Sequence, residues 1–377
     1  MASPCVKQGE KFALVMSLLQ KLCREMEGKN FAFSPLSLGI AFSMLVAGLR
    51  HETKKQLLDL LGYADDTDLH AMYSELIKDQ ELPIKIANKY VVDSKLKIQK
   101  NFQALAKEKY QSEVELVDFA KDSQKAEAEL NAWVASKTNE MIKQLLSPGT
   151  LGRDNAIVIL SAVYFKGTWL NEFSLVPEEV DFKLRDGSTV KKKFMTRKSS
   201  DFKYHETDKL KMVKLPYKEA GCYMIVALPK DDGKHIDEAL ATMTAAEITS
   251  AIEKLNAAEN ACVVLTMPKF KIDYKYSNLV EHMKALGVHK LFEGGDFSDL
   301  FEDVKAPEKV SSVVHQTVIE VDELGTKAAA ATGVCTTRCN PAAPPQDIRV
   351  DVDRPFVFLL AAKQLPCFMG ICATPVN

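Results

Sequence analysis

The sequence predicts an α+β fold in a single domain, and three observations support that prediction. Several segments carry apolar residues at helical spacing, the first of them being Phe12, Val15, Met16, Leu19 and Leu22. Other segments, each about as long as a β-strand, either alternate between apolar and polar residues or are apolar throughout. No Gly/Ser-rich or Pro-rich linker and no repeat precedes residue 324. The 377 residues are therefore expected to form one domain, although length alone would suggest two or three.

Composition narrows the classes of partner and the compartment. The net charge of −2 argues against nucleic acid or an anionic membrane as the main partner. The eight cysteines are scattered, without the spacing of a metal site or a disulfide framework. No small-residue cleavage site follows the first apolar patch, and no Asn-x-Ser/Thr sequon occurs. We expect a cytoplasmic protein, with release in the absence of a cleaved signal peptide as the alternative.

Hydrophobic periodicity and capping signals predict five helices and two strands in the first part of the chain, one of the helices being the short QLLDLLGY segment that residues 52–56 cap and begin. Ser34 and Pro35 suit the N-cap and the first position of a buried helix, LGIAFSMLVAGL. The other predicted helices are 9–27, 98–110 and 126–146, and the predicted strands are 84–92 and 113–119.

The second part of the chain is richer in strands. The near-continuous apolar run from Asn155, NAIVILSAVYFKGTW, is typical of a strand that is covered on both faces. Strands and turns alternate between residues 180 and 231. Further strands are predicted at 262–271 and 310–321 and near 356–358 and 368–370, and a helix at 279–286.

The stretch from Val321 to Pro355 consists of small and polar residues with little to bury. A structureless segment of this length inside a compact chain is uncommon and is usually functional or a linker. A linker is excluded, because only about twenty residues follow the segment, far fewer than a domain needs. If the preceding strand register continues, one face carries only Thr326, Ala328, Ala330, Thr332 and Val334.

The start of this segment resembles the proximal hinge of an inhibitory serpin, which has an acidic residue, a variable polar residue, Gly, a small residue and a run of alanines. The hinge residues here are Glu323, Gly325, Thr326, Ala328, Ala329, Ala330, Ala331 and Thr332. The motif YFKGTW, from Tyr164 to Trp169, is also similar to a specific serpin motif. The resemblance covers the whole chain, in the family's order. It implies a single serpin domain at 1–377 with three β-sheets, about eight to nine helices and an exposed reactive-centre loop at about 323–354.

The resemblance also assigns two structural regions around the central sheet. The breach, where the loop first inserts, would contain Trp169 and Lys269, and Lys269 would pair with Glu323. The shutter, a polar knot beneath the sheet that governs its opening, would contain Ser34, Pro35, Ser37, Ser161 and His315. Ser161 stands where most members carry Asn. Because serine has fewer donor and acceptor sites, we expect a looser shutter than usual.

The function that the resemblance implies is suicide inhibition of a serine protease. No catalytic constellation, phosphate loop or metal spacing is visible, so neither an enzyme nor a metal or other cofactor is expected. A target protease would attack the loop and form a covalent acyl complex, and the freed loop would then insert into the central sheet. We expect a monomer. Heparin is not indicated, because residues 68–80, which match the heparin-binding helix of some relatives, are not basic.

The reactive bond follows either Arg338 or Cys339. The family's usual loop length, counted from Glu323, reaches Cys339, and a loop one residue shorter reaches Arg338, which would be followed by Cys339 and Asn340. Arg338 is favoured because trypsin-like pockets carry an Asp that binds Arg. Cleavage after Cys339 would indicate an elastase-like or a cysteine protease.

A non-inhibitory serpin with a storage, carrier or chaperone-like role is the competing interpretation. Members that no longer inhibit tend to carry bulky or charged residues on the inserting face of the hinge. That face is small and uncharged here, which favours inhibition. Leu324 departs from the pattern, since it replaces a residue that is usually polar.

Overall fold

The computed structural model describes residues 18–78, 83–112, 114–219, 221–230, 233–303, 308–324, 347–363 and 365–376. Ten helices lie within these ranges. They are α1 (18–25), α2 (Pro35–Val46), α3 (His51–Leu61), α4 (Thr67–Lys78), α5 (Lys100–Tyr110), α6 (Ser123–Lys137), α7 (Ile236–Ala241), α8 (Ala245–Ala257), α9 (Val280–Ala285) and α10 (Lys290–Glu293).

The same ranges contain sixteen strands, which form three sheets. They are β1 (Phe31–Phe33), β2 (Ile84–Asp93), β3 (Val114–Val117), β4 (Ile157–Phe165), β5 (Ser174–Leu175), β6 (Val180–Lys183), β7 (Thr189–Lys192), β8 (Phe194–Glu206), β9 (Leu210–Pro216), β10 (Cys222–Pro229), β11 (Asn260–Pro268), β12 (Phe270–Tyr276), β13 (Val310–Val321), β14 (Ile348–Asp351), β15 (Phe356–Ala362) and β16 (Leu365–Cys372).

A five-stranded sheet with the order β12-β13-β4-β2-β3 lies at the centre of the molecule. Every residue of β4 is buried, because apolar side chains cover both faces of the sheet. Leu130 and Val134 of α6 belong to the cluster on the front face, and α2 packs behind it. This double cover explains why β4 is apolar throughout instead of alternating.

A nine-stranded sheet packs next to the central one, and β6 and β7 form a separate pair. The predicted strand at 262–271 is divided between the two larger sheets: β11 ends at Pro268 in the nine-stranded sheet, and β12 begins at Phe270 in the central one. The single residue between them, Lys269, therefore lies where the chain crosses from one sheet to the other.

The structure confirms the predicted α+β class and the three sheets. The ten helices slightly exceed the expected number, and short ones such as α10 make the difference. The helix predicted at 126–146 ends earlier, at Lys137, and Asn139 and Glu140 adopt positive φ angles of 52° and 60° that are incompatible with a helix. Within the described residues, none of the helices combines the length and the apolarity that crossing a membrane requires.

Candidate functional site

Most of the predicted reactive-centre loop lies outside the described residues, but both of its ends are described. The chain reaches Leu324 after β13 and resumes at Asp347 before β14. The last residues assigned to the loop are not loop, since β14 pairs in parallel with β11. The predicted site residues outside the described ranges are Gly325, Thr326, Ala328, Ala329, Ala330, Ala331, Thr332, Arg338, Cys339 and Asn340.

Lys269 and Glu323 form an ion pair at the N-terminal end of the loop. The Lys269 Nζ lies 2.6 Å from the Glu323 Oε2, and both side chains are about three-quarters buried. The two residues meet because each occupies the end of a neighbouring strand: Phe270, which follows Lys269, pairs with Val321. The ion pair thus joins the crossing between the two sheets to the first residue of the loop.

Trp169 lies beside this ion pair and is almost fully buried. Its indole stacks on Tyr217, with ring centroids 4.2 Å apart, and its Nε1–H donates to the Asp322 carbonyl oxygen at 2.8 Å. Gly167 makes the packing of the YFKGTW motif feasible, because a Cβ there would lie 2.5 Å from the Phe165 ring. We call Trp169, Lys269, Asp322 and Glu323 the loop-base cluster.

The two carboxyl groups of the loop-base cluster are shifted in opposite directions. Burial raises the pKa of Asp322, and the neighbouring Glu323 charge adds to that effect. Burial would also raise the pKa of Glu323, but the ammonium group of Lys269 outweighs it, so that this pKa lies below its ordinary value. Glu323 is therefore the anionic partner that Lys269 holds, and the Phe173 N–H donates to its carbonyl oxygen at 2.9 Å.

The loop leaves the central sheet at the end of a parallel strand pair. β13 and β4 are neighbours in register from Val310, which pairs with Ile157, to Ile319, which pairs with Phe165. We call this pair the seam. Among the described residues, no strand lies between β4 and β13, and the predicted loop follows β13 in the sequence.

A row of polar side chains crosses the seam on the face that points toward α2. Strand register places Asn88 opposite Ser161, Ser161 opposite His315, and His315 opposite Tyr276. Ser161 and His315 are fully buried, and Asn88 is partly exposed. Two serines at the start of α2, Ser34 and Ser37, contact these side chains. We call Ser34, Ser37, Asn88, Ser161 and His315 the polar row.

His315 is neutral in this setting, because burial lowers its pKa to about 3. The Ser34 backbone N–H donates to its Nε2 at 3.0 Å, so the ring proton must lie on Nδ1. The Nδ1–H then donates across the seam to Ser161, whose Oγ lies at 3.0 Å and whose carbonyl oxygen lies at 3.1 Å.

Ser34 and Ser37 belong to the first turn of α2, which Pro35 begins. The Ser34 Oγ accepts from the Ser37 N–H at 3.1 Å, which is the expected N-cap contact. The Ser37 Oγ lies 2.9 Å from both the Ser161 Oγ and the Asn88 Oδ1. The start of this buried helix therefore places the Ser34 backbone N–H and the Ser37 hydroxyl group directly beneath the seam.

Asn88 is a member of the polar row that sequence reasoning did not identify. Its Nδ2 donates to the Ser37 carbonyl oxygen at 2.8 Å, which directs its Oδ1 to the Ser37 hydroxyl. The amide that the resemblance expects at Ser161 is thus supplied by the neighbouring strand. A polar residue on the inward face of a predicted strand, between Ile86 and Tyr90, was the available signal.

The C-terminal end of the loop is held by surface contacts instead. Asp347 forms an ion pair with Lys198 at 2.6 Å and accepts from the Cys262 Sγ at 3.2 Å. Lys198 and Asp347 are exposed or partly exposed. No group of three or more His, Cys, Asp or Glu side chains that could hold a metal ion occurs among the residues described.

Comparisons with known proteins agree on one family. The sequence profile of the serpin (serine protease inhibitor) family matches residues 9–375. Serpin-Z2A of Triticum aestivum is 34% identical over 375 residues, which cover 94% of this chain and 92% of the wheat protein. A serine protease inhibitor of Cyanea capillata is 30% identical, with 96% and 97% covered. The native stressed conformation of Arabidopsis AtSerpin1 superposes with a TM-score of 0.84 at 23% identity, covering 100% of both chains.

Proposed function

The chain belongs to the serpin family, and from that premise we propose that it is an irreversible suicide-substrate inhibitor of trypsin-like serine proteases. The observation that carries this proposal is the seam. A fully buried parallel pair, β4 and β13, is bridged by a small polar row, and the chain leaves the sheet at the end of β13 as a segment of small residues.

The proposed reaction begins as ordinary acyl transfer. The protease Ser Oγ attacks the carbonyl carbon of Arg338 while the protease His accepts the hydroxyl proton. The Arg338–Cys339 peptide bond breaks, the amine of Cys339 leaves with that proton, and an ester joins Arg338 to the protease. The Arg338 side chain pairs with the Asp of a trypsin-like pocket, which sets the specificity.

Insertion of the cleaved loop competes with hydrolysis of this ester. A strand that follows β13 through a turn would run antiparallel to both β13 and β4. One parallel ladder would then be replaced by two antiparallel ladders, which are slightly more stable per residue. In the predicted register, Thr326, Ala328, Ala330, Thr332 and Val334 would be the side chains that enter the core, so they must be small and uncharged, as they are.

The loop-base cluster supports this order of events. Trp169 and Lys269 hold the chain at Asp322 and Glu323, where the predicted loop begins. Insertion starts at this end, because the loop is covalently continuous with β13. We therefore propose that these contacts keep the intact loop outside the sheet and that they rearrange first after cleavage.

We also propose that the protein is a monomer in the cytoplasm that acts without a cofactor. The cysteines in the described part of the chain are Cys23, Cys222, Cys262, Cys367 and Cys372, and none of these five forms a disulfide. Thiols that are not joined in disulfide bonds fit a reducing compartment. Heparin is not expected to assist, because α4 carries Asp68 and Glu75 together with Lys78.

The decisive experiment mixes the purified protein with trypsin and follows the products on a denaturing gel. We expect a complex that is stable in SDS, together with a released C-terminal peptide whose mass begins at Cys339. The Arg338→Ser variant should form no complex. Arg153→Ser removes another exposed arginine and serves as the matched control, which should form as much complex as the unmodified protein.

The other outcomes separate the alternatives. A complex with elastase or a cysteine protease, with the peptide beginning at Asn340, would place the reactive bond after Cys339. Clean cleavage at Arg338 without a complex for any protease tested would contradict inhibition and favour the storage, carrier or chaperone-like alternative.

A further inference from the structure

The first turn of α2 is bonded to both sides of the seam. On one side, the N–H of the N-cap residue Ser34 donates to the Nε2 of His315 in β13. On the other side, Ser37 is bonded to Asn88 of β2 and to Ser161 of β4. One rigid helical turn therefore fastens together the two parts of the sheet that insertion must separate.

The helix cannot keep both sets of bonds when a strand enters. Neighbouring strands lie about 4.8 Å apart, so an inserted strand moves β4 from about 4.8 Å to about 9.6 Å from β13. The Ser34 and Ser37 contacts are only one helical turn apart, and displacement by a full strand spacing breaks any hydrogen bond. Either the β13 contacts or the β2 and β4 contacts must be released.

The contacts on the two sides differ in how easily water can replace them. Ser34 and His315 are fully buried, so parting them would leave a backbone N–H and a ring nitrogen without partners, which is costly. Asn88 is partly exposed and lines a cleft together with Tyr110, Gln111 and Trp133. Water entering from the cleft can take over its hydrogen bonds as they break.

We propose that Asn88 is the positioning residue that fastens β2 and β4 to α2, and that its two bonds to Ser37 are released when the seam opens. The inference rests on the proposed insertion mechanism. Because these bonds exist in the intact protein and not after insertion, Asn88 opposes opening. Asn88 thereby provides, on β2, the amide that the resemblance expects at position 161. Without this amide the polar row would contain fewer hydrogen bonds.

The donor sequence in the row explains why an amide is suited to this position. The His315 Nδ1–H donates to Ser161, the Ser161 hydroxyl to the Ser37 Oγ, and the Ser37 hydroxyl to the Asn88 Oδ1. The series must end at an acceptor, and the Asn88 Oδ1 is that acceptor. Its Nδ2 then donates back to the Ser37 carbonyl oxygen, a bond that alanine or an ionised aspartate at this position could not make, because neither side chain has a donor.

The test compares intact and loop-cleaved protein in two variants. Asn88→Ala removes the proposed fastening. Asn30→Ala is the matched control: its amide makes similar bonds to the backbone of Ala373 and Thr374, which are not part of the polar row. The loop is cut with thermolysin, a metalloprotease that forms no acyl-enzyme, and mass spectrometry verifies a cut within 325–346. Thermal unfolding is then measured for each intact and each cleaved protein.

We expect Asn88→Ala to lower the Tm of the intact protein by about 3 °C or more and that of the cleaved protein by less than half as much. Asn30→Ala should lower both by similar amounts. Asn88→Ala should also speed the gain of thermal stability after cleavage, roughly tenfold, because two hydrogen bonds no longer oppose opening. The double variant Asn88→Ser/Ser161→Asn returns an amide to the row. In this variant, both the loss of Tm in the intact protein and the faster gain of stability after cleavage should be smaller than in Asn88→Ala.

Two results would overturn the inference, and they differ in meaning. If the unmodified protein gains thermal stability on cleavage but Asn88→Ala affects both forms equally, insertion stands and Asn88 has no special role in it. If the unmodified protein gains no stability on cleavage, insertion itself fails and the proposed role of Asn88 fails with it.

Discussion

The two ends of the reactive-centre loop are both anchored by parallel strand pairs, but the pairs are held differently. β4 and β13 are joined by nine register pairs in a fully buried setting. β11 and β14 are joined by four register pairs, and β14 is partly exposed. The first pair is bridged by the neutral polar row, whereas an ion pair and a thiol hydrogen bond hold the chain at the start of the second.

We expect the two ends of the predicted loop to respond differently to changes in side chains, pH and salt. Neutral hydrogen bonds in a buried seam respond to side-chain size and to protonation, and they are insensitive to salt. Charges at the surface respond to ionic strength, because salt screens the interactions between exposed charges, with a Debye length of about 10 Å at 0.1 M. The N-terminal end of the loop is therefore governed by packing, and the C-terminal end by solvent. Four predictions test this contrast.

The largest effect is expected when a charge is placed on the face that must enter the seam. Thr326→Arg should form on the order of a hundredfold less SDS-stable complex with trypsin and more cleaved product, because burying an unpaired guanidinium costs several kcal/mol. Ala329→Arg, on the opposite face in the predicted register, is the control and should retain most of the complex. Equal loss in both variants would contradict the face assignment.

His315 should make the buried seam sensitive to acid. Its folded-state pKa of about 3 lies below that of an unfolded histidine, so the unfolded chain binds the proton first. The stability that neutral His315 contributes is complete above about pH 6.5 and is lost as the pH falls toward 3, by about 1.4 kcal/mol per pH unit. His315→Gln should be less stable at pH 7 by about 3 kcal/mol, with a flatter dependence on pH in urea unfolding. An unchanged slope would show that His315 does not titrate in this way.

The loop-base ion pair should contribute a smaller amount. Because Lys269 and Glu323 are mostly buried, a double-mutant cycle of Lys269→Met and Glu323→Gln should give a coupling of about 1 kcal/mol. The depressed pKa of Glu323 means that this stabilisation is present above its unfolded pKa and disappears as the pH falls below it. A coupling that is the same at pH 7 and pH 3 would contradict this assignment.

The smallest effect is expected at the C-terminal end of the loop. Lys198→Met breaks the exposed pair with Asp347 and should lower the Tm by about 1 °C or less at low salt. In 1 M NaCl the difference from the unmodified protein should vanish, whereas that of His315→Gln should persist. A salt-independent loss for Lys198→Met would remove the contrast between the two ends.

Sequence patterns located much of the fold but only part of the site. The structure gives β13 the bounds that the sequence predicts, Val310 to Val321, because β-branched residues are enriched throughout that segment. The helix after residue 126 was predicted too long, since the apolar residues that follow Lys137 pack on the sheet without helical backbone. The resemblance predicts a looser shutter because Ser161 replaces Asn. The structure places the amide of Asn88 opposite Ser161 and in contact with Ser37, but no local pattern connects positions 88 and 161.

The sequence by itself determined the family, the α+β class, the strand that precedes the loop and the small inserting face. These follow from motifs and periodicities within short segments, where each residue's environment depends on its near neighbours. Only the tertiary structure decided that Asn88, Ser161 and His315 share one row and that Ser34 and Ser37 fasten both sides of the seam. Such contacts depend on the register between strands far apart in the chain, and the packing of the whole sheet on α2 sets that register.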